Sequence, residues 1–445
     1  MKPVSFYLVT DTHYLNNILE PGGEAFEKII LIVLAVCILN LVAGIIYFEI
    51  EPENTDIDYA PADPNKTTDT TIRFNSNGKL KILHIADPHL ANDKHFDSSI
   101  WVIANACDVE KPDLVVLTGD NTKPYETEAE TKKLINALMN IFESRNIPVA
   151  VTFGNHDSEE GPMSRKDIME YYKTFPCVIS AGDETNFKNC ATFNIPVLAS
   201  DSDKVKFNLW VFDSGDYDED EPRHYDRVRT EQIEWYKETS AKLKEENGGE
   251  TVNSVVFQHI IVPEIYDVLK KVDSKKLFSE KHLYNENEYY MFDPENINYG
   301  TLNEYPCPGY YNDGQFDALL ETGDVLAMFT GHDHTNAFGV RNQNIDIFTS
   351  PMTRYKGLAY TTQYGYRVVE IDENDTSTYT TRVERLYDVF DHDYAKAQKE
   401  SGDKYSKRIS YELAVKGRTQ KIFTEIYQSV VEFFTGRTVT YPDYK

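Results

Sequence analysis

The sequence predicts an α/β domain held behind a single membrane-spanning helix, and three observations predict it. Strand-like and helix-like segments alternate from about residue 72 to about residue 340. Five of the strand-like runs stop abruptly in residues that ligate metals. Ahead of them all, residues 29–48 read IILIVLAVCILNLVAGIIYF, apolar on every face.

The apolar run comes first in the chain. Its 20 residues include one strongly polar member, Asn40. At about 1.5 Å of rise per residue the run matches the roughly 30 Å hydrocarbon core of a bilayer. It is longer than the apolar part of a cleaved leader, and no small-x-small site follows in EIEPENTD. Lys2 and Lys28 precede the run and Glu49, Glu51 and Glu53 follow it. Basic residues favour the cytoplasmic side. The expected layout is a short cytoplasmic segment over 1–28, a transmembrane helix over 29–48 and a Pro-, Asp-, Glu- and Thr-rich linker over 49–71. A globular domain over 72–390, on the far side of the membrane, and a helical extension over 391–445 complete it. In that extension KIFTEIYQSVVEFF puts Ile422, Ile426, Val430, Phe433 and Phe434 on one face, a helix expected to pack on the domain.

Composition agrees with a folded domain. The 445 residues are 41% hydrophobic and include 30 Tyr and 23 Phe. The formal net charge of −28 makes nucleic acid and anionic lipid poor partners. A small phosphorylated substrate remains compatible, because bound cations reverse the field locally. Cys177 and Cys190 lie close enough in sequence to bridge a loop in an oxidising compartment, the alternative being free buried thiols. No CxxC occurs, so a cysteine zinc site has no support.

Within the domain, Asn77-Gly78 between two strand-like runs predicts a hairpin turn. Leu134, Leu138 and Ile141 at helical spacing predict a helix over 128–144. Residues 215–225 read as a charged loop. Residues 263–315, rich in Tyr, Asn and Pro, read as an excursion near a site. Residues 365–390 alternate as strands do.

The chemistry resides in the five strand ends. LKILHIADPH ends in Asp87 and His89, and PDLVVLTGDN in Asp120 and Asn121. PVAVTFGNHD ends in Asn155, His156 and Asp157, VNSVVFQH in His259, and VLAMFTGHDH in His332 and His334. Functional groups gather at the carboxyl ends of strands in α/β sheets. Gly119, Gly154 and Gly331 sit just before ligands, where the chain must turn and approach closely. A lone histidine after a strand is usually a satisfied side chain, and a GDN tripeptide is usually a turn. Five such ends together point to a metal centre.

The order DxH, GDN, GNHD, H, GHDH resembles the calcineurin-like metallophosphoesterases over roughly residues 72–385. GNHDSE, MSR at 163–165, FQHIIVPE and GHDHTNAFG look most like its purple-acid-phosphatase-like branch. The resemblance implies a four-layer αββα sandwich, two mixed β-sheets flanked by helices, around a dinuclear metal centre. It implies that Asp87, His89 and His334 bind one metal, that Asn155, His259 and His332 bind the other, and that Asp120 bridges them. It places His156 just outside, oriented by Asp157, contacting phosphate or protonating the leaving oxygen. Purple acid phosphatases carry a tyrosine three residues after the GD aspartate. Here Lys123 stands there, with Tyr125 two further on, and His89 is present where they lack it. A purple Fe(III)-tyrosinate is therefore not expected.

The donor chemistry supports the same assignment. Two cations sharing a carboxylate and a hydroxide generate a strong nucleophile at neutral pH. Asp87 and Asp120 offset two of four positive charges, which leaves an excess for phosphate. Mixed nitrogen and oxygen donors suit Mn, Fe or Zn and disfavour Mg and Ca. The expected function is phosphomonoester hydrolysis. A phosphodiesterase on the same centre and a non-catalytic binding protein on the same scaffold are the alternatives. Arg165 and Arg354 are candidates to meet phosphate, with surface ion pairing the plainer reading. His84 reads as buried, and Tyr310, Tyr311 and Asn312 as pocket wall. Asp11 and His13, in SFYLVTDTHYL, echo the DxH motif but have no GD, GNH or GHxH beside them, so 80–90 is the working strand.

Overall fold

The computed structural model describes residues 57–123, 127–159, 161–179, 187–221, 223–276, 279–293, 299–355 and 363–390. The apolar run 29–48, the DTH segment with Asp11 and His13, Tyr125 and the extension 391–445 lie outside the described residues. Among the described residues no helix is long and apolar enough to cross a membrane.

Two large sheets carry the domain. The first has five strands: β1 (Lys79–Ile85), β2 (Leu114–Leu117), β3 (Val149–Val151), β14 (Gly365–Asp372) and β15 (Asp375–Arg385), in the order β15-β14-β1-β2-β3. The second has seven: β4 (Phe193–Leu198), β5 (Val205–Phe212), β6 (Ser254–Gln258), β10 (Tyr299–Thr301), β11 (Val325–Thr330), β12 (Ala337–Asn342) and β13 (Ile345–Thr349). Its order is β10-β12-β13-β11-β6-β5-β4. Both sheets are mixed: β1, β2 and β3 run parallel in one, and β5, β6, β11 and β13 in the other, with antiparallel strands at the flanks.

Side-chain alternation assembles the layers. Leu83 and Ile85 of β1 and Val115 and Leu117 of β2 point to one face. There they join apolar residues of α1 (Phe96–Glu110), α2 (Glu128–Glu143) and α3 (Arg165–Tyr172). Leu80, Ile82, Leu114 and Val116 point the other way and meet Leu209, Val255, Phe257 and Phe329 of the second sheet. On its outer face that sheet packs Trp210, Phe212 and Met328 against α4 (Thr230–Glu246) and α5 (Gln315–Thr322). The result is helix, sheet, sheet, helix, as the resemblance implied. The helix expected over 128–144 is α2, capped by Thr127, whose side chain accepts the Glu130 N–H at 3.3 Å.

One local expectation is corrected and one open alternative is decided. Gly78 does sit in a turn, at φ +69°, but no hairpin forms there. The Phe74 N–H donates to Leu198 O at 2.9 Å, and β1 pairs with β14 instead, so tertiary pairing overrides the turn signal. Cys177 and Cys190 are free and buried, not bridged.

Strand register places the site. Ile85 lies opposite Leu117, and Leu117 opposite Val151, so three loops leave the first sheet at one level. Phe257 lies opposite Phe329 in the second sheet, so two more loops leave it side by side. The five ligand-bearing ends therefore come from two sheets, three from one and two from the other. The excursion at 263–315 forms a separate three-stranded sheet of β7 (Leu269–Val272), β9 (Tyr289–Phe292) and β8 (Glu280–Lys281), then returns through β10.

Candidate metal centre

The strand ends bend sharply to aim their ligands. Asp87, His89, Asp120 and His332 all have positive φ, at 53°, 42°, 51° and 71°. That region disfavours side chains with a β-carbon, though Asp and His visit it more readily than most. Such strain persists where surrounding structure over-determines it, commonly at functional sites. Two glycines make the approach possible. A β-carbon on Gly119 would lie 2.1 Å from Gly154 N, and one on Gly154 would lie 2.2 Å from Asp120 Oδ1.

Two overlapping groups of candidate ligand atoms result, buried except for half-buried His334. Asp87, His89, Asp120 and His334 converge in one, and Asp120, His259 and His332 in the other. His89 Nε2 is 3.2 Å from Asp120 Oδ2 and 2.9 Å from His334 Nε2. His334 Nε2 is 3.7 Å from Asp87 Oδ1. On the other side His259 Nε2 is 3.4 Å from Asp120 Oδ2, 3.2 Å from His332 Nδ1 and 3.2 Å from Asn155 Oδ1. Asp120 belongs to both groups.

These donors fit a pair of cations. Asp87 Oδ1 and Asp120 Oδ2 are buried without a hydrogen-bond partner, which is costly for bare carboxylate oxygens. Facing imidazole nitrogens, as in His89 and His334, also need a cation or a proton between them. Among the protein groups alone, burial opposes charge on His259, but the Asp120 and Asp87 carboxylates outweigh it and lift the imidazole to about 9. Burial, reinforced by His89, pushes His334 down to about 3. Burial also raises the Asp87 carboxyl. A ligand cage so strongly perturbed is a functional-site signature.

The supports around the ligands differ from the expected ones. Asp157 does not orient His156. Its Oδ2 accepts the N–H of Asp120 and of Gly154, both at 2.7 Å. Its Oδ1 accepts those of Asn121 at 2.8 Å and Thr122 at 3.3 Å. Asp157 is thus the clasp that holds the GDN loop to the GNH loop. The His156 ring turns to Glu159 instead, which holds Nδ1. Its backbone N–H donates to Asp120 Oδ1 at 2.8 Å, and its ring lies 5.4 Å from that of His89.

Neither arginine faces the site. Arg165 donates to Gly154 O at 2.7 Å and pairs with buried Asp213. Arg354 is buried too, bound to His89 O and Asp93. Both brace ligand loops and both are ion-paired, Arg354 with exposed Asp93 as the plainer reading had it and Arg165 with an Asp213 that is buried. His84 is buried between Thr118 and Ser350, at 2.7 and 3.0 Å. Lys123 is exposed.

The rim is aromatic. Tyr225 sets its ring edge-on to His332 at 4.3 Å, and Tyr217 stacks on Tyr225 at 5.6 Å. Tyr310 and Tyr311 are exposed beyond, Tyr310 stacked on His224 at 3.7 Å. Asn312 turns away to Glu264 at 2.6 Å. Sequence reasoning missed Glu159, Tyr217 and Tyr225. Glu159 lies three residues after His156, a spacing that brings side chains together in a turn, and was the one with a signal.

The profile of the calcineurin-like phosphoesterase family matches residues 80–336, a span holding all seven expected ligand positions. The chain belongs to that family. Its members bind a dinuclear metal centre, and the Asp/His cluster here is able to hold metal. The chain is 27% identical over 298 residues to "Probable inactive purple acid phosphatase 29" of Arabidopsis thaliana, covering 60% of this chain and 70% of that protein. It is 26% identical over 319 residues to "Probable inactive purple acid phosphatase 14" of the same plant, covering 64% and 73%. To "Phosphatase DCR2" of Saccharomyces cerevisiae it is 24% identical over 319 residues, covering 66% of this chain and half (50%) of that one. A solved dimetal phosphatase from Danio rerio superposes with a TM-score of 0.45 at 12% identity, covering 69% of this chain and 96% of that one.

Proposed function

We propose that this chain is a metal-dependent phosphatase that hydrolyses phosphomonoesters. The observation that carries the reading is the pair of ligand groups sharing Asp120, with two carboxylate oxygens otherwise unpartnered. Asp87, His89 and His334 would hold one cation, Asn155, His259 and His332 the other, and Asp120 both. The donor set suits Mn, Fe or Zn. Cations held there would polarise a bound phosphate and supply a water acidic enough to attack phosphorus.

The chain's own groups do the remainder. Only two carboxylates ligate, so the site keeps a positive excess and attracts phosphate despite the chain's net charge of −28. Among the described residues Arg165 and Arg354 are engaged with carbonyls and carboxylates, and His156 is the side chain this reading sets beside the phosphate. As one P–O bond forms to water oxygen and the other breaks, a His156 ring protonated on both nitrogens gives its Nε2 proton to the departing alcohol oxygen and keeps the Nδ1 proton that faces Glu159. Lys123, exposed where a purple acid phosphatase has tyrosine, supports a centre without tyrosinate.

The names of two relatives favour a second reading, a non-catalytic binding protein on this scaffold. The complete ligand set and His156 support turnover instead. A single-pass anchor at 29–48, with the domain on the extracytoplasmic side, belongs to the same proposal and rests on the sequence. The test is turnover by the metal-loaded full chain of p-nitrophenyl phosphate and of its bis ester. Faster cleavage of the monoester is expected. Preference for the bis ester would make it a phosphodiesterase, and two bound metals with no turnover of either would make it a binding protein.

A further inference from the structure

The loop after β3 carries a carboxylate that the metal-ligand pattern does not use. Glu159 engages His156 Nδ1 through Oε2. Its Oε1 accepts the Tyr217 hydroxyl at 3.3 Å. The same hydroxyl oxygen accepts the Asn155 Nδ2 amide at 3.0 Å, while Asn155 Oδ1 faces His259 Nε2 at 3.2 Å. One acid therefore joins the histidine beside the site to an amide in the ligand cage. Asp157 cannot share that duty, because four backbone N–H groups occupy it.

The chemistry of these groups fixes direction as well as connection. An ionised carboxylate only accepts hydrogen bonds. Tyr217 must therefore donate its single proton to Glu159, which leaves its oxygen able only to accept. Asn155 must then present its NH₂ to Tyr217, and its carbonyl oxygen is the end left for the cage. In the other direction His156 must carry a proton on Nδ1, so Nε2 is the nitrogen left for the substrate, and the second proton of the doubly protonated ring is the one placed to reach the leaving oxygen. We propose that Glu159 is the positioning residue of this site, setting by its acceptor-only character both the His156 tautomer and the end of Asn155 that faces a cation. The inference rests on the phosphatase reading for its catalytic consequence, but not for its structural one.

Two variants of the full chain test it. Glu159→Gln keeps shape but offers an NH₂ donor, so one of the two directions must reverse. Tyr217→Phe cuts the path to Asn155 and leaves Glu159 on His156. In wild type, ring ¹⁵N spectra of neutral His156, assigned by its loss in His156→Ala, should show Nδ1 protonated; Glu159→Gln should mix the tautomers. Partners of this kind are worth about 10–100-fold in metal affinity or activity. Glu159→Gln should lower kcat by that order on an alkyl phosphate, whose leaving oxygen needs a proton. On p-nitrophenyl phosphate, whose leaving group departs as the anion, the loss should be several-fold smaller, with KM little changed. Tyr217→Phe should weaken Mn(II) binding about 10-fold and keep the wild-type dependence on leaving group. Unchanged tautomer and unchanged Mn(II) affinity in the two variants would overturn the proposal, as would equal losses on both esters. If wild type cleaves neither ester, the phosphatase reading fails, while the spectra and Mn(II) titrations still decide the role of Glu159.

Discussion

Asp157→Asn separates the clasp observed here from the His156-orienting role that the motif implied. The carboxylate is buried and accepts four backbone N–H groups at 2.7, 2.7, 2.8 and 3.3 Å. An asparagine side chain has one carbonyl oxygen, so whichever way it turns, its NH₂ confronts two of those donors. Each buried donor left unsatisfied costs about 1–3 kcal/mol, and the two surviving bonds lose their charge assistance. The expected total is about 4 kcal/mol, which for a domain of this size lowers Tm by about 8 °C. The loops it joins carry Asp120 and Asn155, so metal affinity should fall as well. Thermal unfolding followed by circular dichroism, alongside metal titration, measures both. A variant within about 1 kcal/mol of wild type that binds metal normally yet loses turnover would refute the reasoning and return Asp157 to a role on His156.

Three further outcomes are expected. Gly154→Ala should destabilise the protein by about 3 kcal/mol and reduce its metal content, because the new β-carbon would lie 2.6 Å from the Asp120 backbone nitrogen. Gly248→Ala, at φ +77° with open space around it, should cost only about 1–2 kcal/mol of backbone strain and leave metal binding alone; equal behaviour of the two variants in thermal unfolding would contradict the packing argument. Metal binding at pH 7 should release protons, because His259 is held protonated up to about 9 and must lose that proton to ligate. Affinity should therefore rise by about one log unit per pH unit from pH 7 and flatten above about 9. Calorimetry in two buffers of different ionisation enthalpy checks this, and identical heats in both would count against it. Arg354→Met, which removes the brace on the buried His89 carbonyl, should destabilise by about 1–3 kcal/mol, chiefly by leaving His89 O without that donor while exposed Asp93 turns to water, with urea denaturation as the readout.

Much of this site was legible in the sequence because each of its parts is local in the chain. An apolar run and a ligand within ten residues specify a strand and a donor, and Asp87, Asp120, Asn155, His259 and His332 all lie in such segments; a glycine just before Asp120, Asn155 and His332 adds the bend. The same locality made α2 readable from Leu134, Leu138 and Ile141. What escaped depends on how loops turn after folding. Tyr217 meets Asn155 from 62 residues away, and nothing in GDYDEDEPRHY marks it among the chain's tyrosines. Asp157 and Glu159 flank the same histidine, and only the backbone path decides which carboxylate reaches the ring. Arg165 and Arg354 could have faced either way along their loops, since a guanidinium serves equally well as an anion clamp or as a brace for carbonyls. The Asn77-Gly78 turn failed as a hairpin signal because the preceding run found a partner in β4, beyond the reach of any local pattern.

Metal counting on the purified full chain, wild type beside Asp120→Asn, tests the central claim most directly. After incubation with Mn, Fe or Zn and removal of the excess, wild type should retain two cations per chain. Asp120→Asn should retain fewer than one, because the lost carboxylate belongs to both ligand groups. A wild type that holds fewer than one cation, or a variant that still holds two, would contradict a centre built around a shared Asp120.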